Sequence, residues 1–292
     1  MDVRVKAYAK LNLTLGITGA RDGYHLIDSL VCTVDCFDLI KLKKRKDKLV
    51  SVEMHGRGSE GIPPERNNAQ KAAEAYIEAF GTTGADIIIY KNIPVGAGMG
   101  GSSADAAGVL RGMSKLYGLG SERRLKELAD GLGSDTGYLL SGGYARITGR
   151  GEKVESLNSD MRLNFLLLVP KDGVSTAECY KLYDSIGQST NGSESAIKAL
   201  TCGDTAGLAE NMNNALYAPA CRLNGDVYTA FNELKEFSPL GVNMTGSGSG
   251  VFAVFESAEL CAWAKSRYRG KFESILLKTK REKKVIKWQK KD

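Results

Sequence analysis

One run of small residues constrains this chain most: Pro94-Val95-Gly96-Ala97-Gly98-Met99-Gly100-Gly101-Ser102-Ser103-Ala104-Asp105. An apolar stretch from Ala85 to Lys91 precedes it and reads as a strand. An Ala-rich stretch from Ser103 to Tyr117 follows and reads as a helix. Glycine lets the backbone approach a ligand with no side chain in the way. The first N–H groups of the helix lack internal partners. Strand, glycine loop and helix start together make an anion site, and phosphate is its usual occupant. The run lacks the Gly-Lys-Ser/Thr ending of a Walker loop, and its spacing does not support a Rossmann fingerprint. Glycine runs also form plain flexible turns, so the loop alone leaves that alternative open.

Length and composition narrow the class. A chain of 292 residues suits one large domain or two modest ones, with ordinary apolar and charged fractions. The charged start, Met1-Asp2-Val3-Arg4-Val5-Lys6, reads as a strand rather than a signal peptide. No apolar run reaches membrane-spanning length, so no membrane partner is expected. Six cysteines without a Cys-x-x-Cys pair, and two histidines, argue against a zinc site and for reduced thiols in a cytoplasmic protein. From Lys265 onward there are twelve basic and three acidic residues, a net of +9, against 28 and 31, a net of −3, before it. The basic character therefore belongs to the tail and not to a nucleic-acid-binding face, and no nucleic-acid partner is expected. The tail reads as an end strand with a frayed terminus, or as an attractor for an anionic substrate.

Along the chain, Val3, Val5 and Ala7 share one face of a strand, and Leu11, Leu13, Leu15 and Ile17 share another. Gly19 to Gly23 reads as a tight loop. Asn68 reads as the N-cap of a helix through Phe80, and Ser121 as the cap of another. A domain boundary is expected near residue 150, giving halves 1–150 and 151–292. In the second half Ser175–Leu182, Ala206–Met212 and Asp226–Phe237 read as helices, and Gln188 to Glu194 as a loop. The mixture predicts an α+β architecture.

Three blocks sharpen the reading. Ala9-Lys10-Leu11-Asn12-Leu13 is followed by Asp22-Gly23-Tyr24-His25, and Met244-Thr245-Gly246-Ser247-Gly248-Ser249-Gly250 stands near the C-terminus. With the first glycine run, these resemble the GHMP kinase superfamily. The Ala-Lys-x-Asn and Asp-Gly-Tyr-His pair resembles the branch that phosphorylates the 2-hydroxyl of 4-diphosphocytidyl-2-C-methyl-D-erythritol in non-mevalonate isoprenoid synthesis. The resemblance implies a two-domain GHMP kinase fold: a ribosomal S5-like N-terminal half that binds ATP, a ferredoxin-like C-terminal half, and a site between them. Four features depart from the branch. Gly133-Ser134-Asp135-Thr136-Gly137 replaces Gly-Ala-Asp-Val-Pro. The serines of Gly101-Ser102-Ser103-Ala104-Asp105 are shifted by one. Asn213-Asn214-Ala215-Leu216 replaces Asn-Asp-Leu-Glu, and the basic tail is extra.

A kinase must neutralise phosphate charge and present an alcohol in line. Pro94 to Ala104 would hold ATP, with Ser102 and Ser103 near a magnesium ion, although both hydroxyls equally suit helix capping. By resemblance, Asp135 is the catalytic aspartate, with Lys10 beside it to hold it ionised and orient the alcohol. A lysine in an alternating strand is ordinarily a surface residue; its place in Ala-Lys-x-Asn favours function. Tyr24 can stack on a cytosine and His25 can bond its edge, with Tyr180 as a second aromatic wall. Asn12 suits the polyol or phosphate portion. Thr245, Gly246, Ser247 and Gly248 line the substrate phosphate side by resemblance, or simply turn a hairpin. The partner is thus a small cytidine diphosphate-linked polyol, bound by a monomer or homodimer. Two alternatives stay open: a GHMP kinase for mevalonate, a sugar or homoserine, and a paralogue that binds a nucleotide-linked ligand without catalysis.

Overall fold

The alternation near the N-terminus becomes three strands, β1 (Asp2–Asn12), β2 (Thr14–Arg21) and the 21-residue β3 (Tyr24–Lys44). The computed structural model describes residues 2–59, 67–186 and 191–280. Asp22 and Gly23, with φ of 53° and 77°, turn β2 into β3, the left-handed pair that a two-residue hairpin requires. Next come β4 (Ser51–Gly56), α1 (Asn68–Phe80), β5 (Ala85–Lys91), α2 (Gly101–Tyr117), α3 (Glu122–Asp130) and α4 (Thr136–Ser141). The first part closes with the hairpin of β6 (Tyr144–Gly149) and β7 (Lys153–Leu157).

β3 is long enough to pair with β1, β2, β5 and β6, and so organises one sheet. α2 lies across it, with Ala104, Ala107, Val109, Leu110 and Met113 buried against β1 and β3. Two glycines set the spacing. A Cβ at Gly108 would lie 2.6 Å from Ile40 Cδ1 and 3.0 Å from Ala7 Cβ, and one at Gly112 would lie 2.3 Å from Leu42 Cδ1.

The second part carries β8 (Asn164–Val169), α5 (Thr176–Ile186), α6 (Glu194–Cys202), α7 (Thr205–Glu210) and β9 (Asn213–Asn214). It continues with α8 (Tyr217–Leu223), α9 (Gly225–Lys235), β10 (Gly241–Met244), β11 (Val251–Phe255), α10 (Ala258–Arg267) and β12 (Glu273–Lys278). Its four strands run in the order β10-β11-β8-β12, the antiparallel order of a ferredoxin-like sheet. β11 is buried at all five positions because helices cover one face and the first part covers the other. The α+β expectation holds.

Several local readings shift. The cap of α1 is Asn67, whose side chain accepts from Ala69 N, and not Asn68, which is the first helical residue. α2 starts two residues before Ser103, because Gly100 can take the left-handed cap conformation. β7 still belongs to the first sheet, paired with β6 from Tyr144↔Leu157 onward. β9 pairs in parallel with β2, so a short piece of the second part extends the first sheet. Gln188 to Thr190 of the expected loop, and the basic tail from Arg281, lie outside the described residues. Among the described residues no helix is long and apolar enough to cross a membrane.

Replacing Gly108 by Val should overpack the α2–sheet contact and cost about 1–3 kcal/mol of stability. Chemical denaturation followed by circular dichroism checks this; an unchanged midpoint would mean that the helix can lift off Ile40 and Ala7 freely.

Candidate active site

The two glycine loops meet face to face. The first leads from β5 to α2; the second, Thr245–Gly250, joins β10 to β11. Gly98 has φ of 70°, and a Cβ there would lie 2.0 Å from Thr245 O. A Cβ at Gly250 would lie 2.5 Å from Ala97 O. Ser249 N donates to Gly96 O at 2.9 Å, and Thr245 Oγ1 donates to Gly98 O at 3.2 Å. Lys10 N donates to Met99 O at 3.1 Å, tying β1 to the same loop.

Asn12 knots the three segments. Its Oδ1 accepts from Gly246 N at 3.0 Å and from Lys10 Nζ at 2.5 Å, while its backbone N donates to Thr245 Oγ1 at 3.1 Å. The Lys10 side chain, only 5% exposed, extends past Asn12 to within 3.4 Å of Asp135 Oδ2. Asp135 occupies the cap position of α4 but makes no side-chain cap bond, so its carboxylate, 32% exposed, faces Lys10 and the cleft. The residues around it have a packing rationale: a Cβ at Gly137 would lie 2.3 Å from Asp130 Oδ1, so glycine there lets α4 seat against the end of α3.

Lys10, Asn12 and Asp135 open onto a cavity of about 840 Å³ whose far wall is aromatic. His25 stacks on Tyr180 with ring centres 4.8 Å apart and planes 26° apart, and meets the edge of Tyr183 at 6.0 Å. His25 Nε2 lies 2.6 Å from Asp184 Oδ1. Burial pushes the Tyr180 hydroxyl up to about 12. Tyr24 is 58% exposed and carries the Arg150 guanidinium 4.3 Å above its ring. Gly246 and Ser247 line this cavity; Thr245 and Gly248 do not, and Thr245 instead braces Asn12 and Gly98 from behind.

A second cavity of about 260 Å³ lies along the first glycine loop. Pro94 through Ser103 line it, but Ala104 does not: it is buried in the core. Ala97 and Met99 also point into the core, so only their backbone is available to a ligand. Gly98, Gly100 and Ser103 line both cavities and mark where they adjoin. Ser102 Oγ accepts from Asn68 Nδ2 at 2.9 Å.

Beneath this loop lies a buried charge cluster. Lys91 Nζ donates to Asp38 and, at 2.5 Å, to Asp105. Asp38 Oδ1 accepts from Asn92 N and Ile93 N at 2.5 and 2.8 Å, anchoring the start of the loop. Burial pushes the Asp105 carboxyl up to about 7, against the pull of Lys91.

The family models agree with this geometry: "GHMP kinases N terminal domain" matches residues 67–145, and "GHMP kinases C terminal" matches 195–265. A 4-diphosphocytidyl-2-C-methyl-D-erythritol kinase of Caldicellulosiruptor saccharolyticus is 37% identical over 284 residues, covering 94% of this chain and 96% of its own. One from Clostridium beijerinckii is 36% identical over 267 residues, covering 89% and 94%. This chain belongs to the 4-diphosphocytidyl-2-C-methyl-D-erythritol kinase family of GHMP kinases. A crystal structure of a 4-(cytidine 5'-diphospho)-2C-methyl-D-erythritol kinase superposes on this GHMP kinase with a TM-score of 0.76 at 29% identity, covering 94% of this chain and 99% of that one. A mevalonate kinase from L. major shares the fold alone, with a TM-score of 0.73 at 17% identity and 95% coverage of each chain.

Sequence reasoning missed several residues of the kinase's site. Asn214 Nδ2 donates to Met244 O at 2.7 Å and Gly246 O at 2.9 Å, holding the second glycine loop; the sequence marked its block only as a departure from the branch pattern. Asp184 had a signal, since it stands four residues after Tyr180 and so shares its helix face. Arg150 and the Lys91 cluster emerge only from tertiary contact.

Gly98→Val in this kinase should weaken binding of a non-hydrolysable ATP analogue at least tenfold, because the side chain cannot coexist with Thr245 O and resists the positive φ. Calorimetry reads the affinity; wild-type affinity in a folded variant would place the nucleotide elsewhere.

Proposed function

We propose that this enzyme transfers the terminal phosphoryl group of ATP to the 2-hydroxyl of 4-diphosphocytidyl-2-C-methyl-D-erythritol. The observation that carries the reading is the Lys10–Asp135 pair. It lies in a cavity whose opposite wall is aromatic and whose near wall is shared with the phosphate-loop cavity. The phosphate loop and the start of α2 hold the triphosphate through backbone N–H groups and the positive helix end. The cytidine portion lies against Tyr24, His25 and Tyr180, which sets the polyol near Asp135.

Asp135 accepts the proton of the attacking hydroxyl or fixes its direction. Lys10 pairs with that carboxylate at 3.4 Å and faces the charge that develops as the phosphoryl group moves. Asn12 keeps the lysine extended by accepting from its ammonium, so the cation is placed before any ligand binds. Gly246 and Ser247 close the cavity beside the substrate phosphates.

The donor set fits magnesium. The Ser102 and Ser103 hydroxyls and the Asp135 carboxylate are hard oxygen ligands, and magnesium in such sites takes few protein ligands together with phosphates and waters. When bound, magnesium supplies neutralisation of phosphate charge.

Asp135→Asn should lower kcat by roughly two orders of magnitude or more, with ATP-analogue affinity nearly kept. A coupled assay with the cytidine-linked alcohol, and with methylerythritol phosphate lacking cytidine, checks both residue and substrate. Near-wild-type turnover removes Asp135 from the chemistry, and equal turnover of the two alcohols removes the cytidine assignment.

A further inference from the structure

We infer that Asp184 is a positioning residue that sets base selectivity by fixing the tautomer of His25, an inference that rests on the proposed cytidine-linked substrate. His25 is the second residue of β3, just after the Asp22-Gly23 turn, and α5 presents Tyr180, Tyr183 and Asp184 to it. The imidazole is held on three sides. Tyr180 covers one face, Tyr183 meets an edge, and Asp184 Oδ1 lies 2.6 Å from Nε2.

An ionised carboxylate can only accept a hydrogen bond, so Nε2 carries the proton of the pair. In the neutral ring the other nitrogen is then an acceptor, since the bond made by one nitrogen decides the state of the other. Nδ1 has no hydrogen-bond partner among the described residues. His25 lines the cavity, which puts its imidazole beside the space a base would occupy.

That acceptor matches the exocyclic amino group of an aminopyrimidine. A pyrimidine with a carbonyl at that position would set lone pair against lone pair, and both would lose their water. Sites built to bond a given substrate group reject analogues lacking it, because their own polar atoms are left unpaired. Among the described residues Asp184 bonds His25 alone, and its side chain is 61% exposed, so its role is not to support the core.

The test uses the intact enzyme and Asp184→Ala. Long-range nitrogen–proton NMR at alkaline pH reads the His25 tautomer without substrate. Wild type should show the proton on Nε2, and Asp184→Ala a mixture. In steady-state assays, wild type should prefer the cytidine-linked polyol over its uridine-linked counterpart. Asp184→Ala should cut that preference at least fivefold, chiefly by raising the Michaelis constant for the cytidine substrate, with a smaller change in kcat. Asp184→Glu should restore part of the preference. A wild-type proton on Nδ1, or an unaltered base preference in Asp184→Ala, overturns the inference. If cytidine proves dispensable for turnover in wild type, the substrate reading falls, and the selectivity role falls with it. The NMR result then still decides separately whether Asp184 fixes the His25 ring.

Discussion

Everything in the site depends on two stretches of backbone touching where no side chain could fit. Gly98 and Thr245 stand 147 residues apart in sequence, yet a single methyl on Gly98 would overlap the Thr245 carbonyl. The contact makes each loop the floor of the other. It also places Asn12, which bonds both to the second loop and to Lys10, at the one point from which a cation can be aimed at Asp135. Substituting the glycines therefore disturbs position as well as flexibility.

Two buried lysines flank the phosphate loop and do different electrostatic work. Lys91 sits between Asp38 and Asp105, so its charge is consumed within the protein, and Asp38 in turn holds Asn92 N and Ile93 N. Lys10 shares its ammonium with a neutral amide and one partly exposed carboxylate at 3.4 Å. Its field thus reaches the cleft, where ligand charge can meet it. Burial alone does not distinguish the two residues; the count of carboxylates around each does.

The sequence carried the fold class, the strand-loop-helix unit and the residues that act through local pattern. The alternation of Val3 through Ile17 and the glycine run were legible because period and backbone freedom are local properties. Lys10 and Asp135 were legible only inside their blocks, since each alone resembles a surface charge. The helix cap was misplaced by one residue because Asn67 and Asn68 are equally good acceptors, and only tertiary packing chooses between them. The partners of Asn214, Arg150 and Asp184 come from distant segments, so pattern alone does not pair them.

The length of β3 has a consequence in time. Because β1, β2, β5 and β6 all pair with it and β7 pairs with β6, the first sheet has all its strands but β9 once the chain has been made through Leu157. The first glycine loop is part of that early body, but the carbonyl it rests on belongs to Thr245. At ordinary rates of synthesis the gap between them takes roughly 7–30 s to make. For the part of that interval after Leu157 a growing chain holds a paired sheet and a glycine loop with no floor. The contact between the two loops therefore forms late, and a chain stalled midway would hold the first glycine loop without its floor.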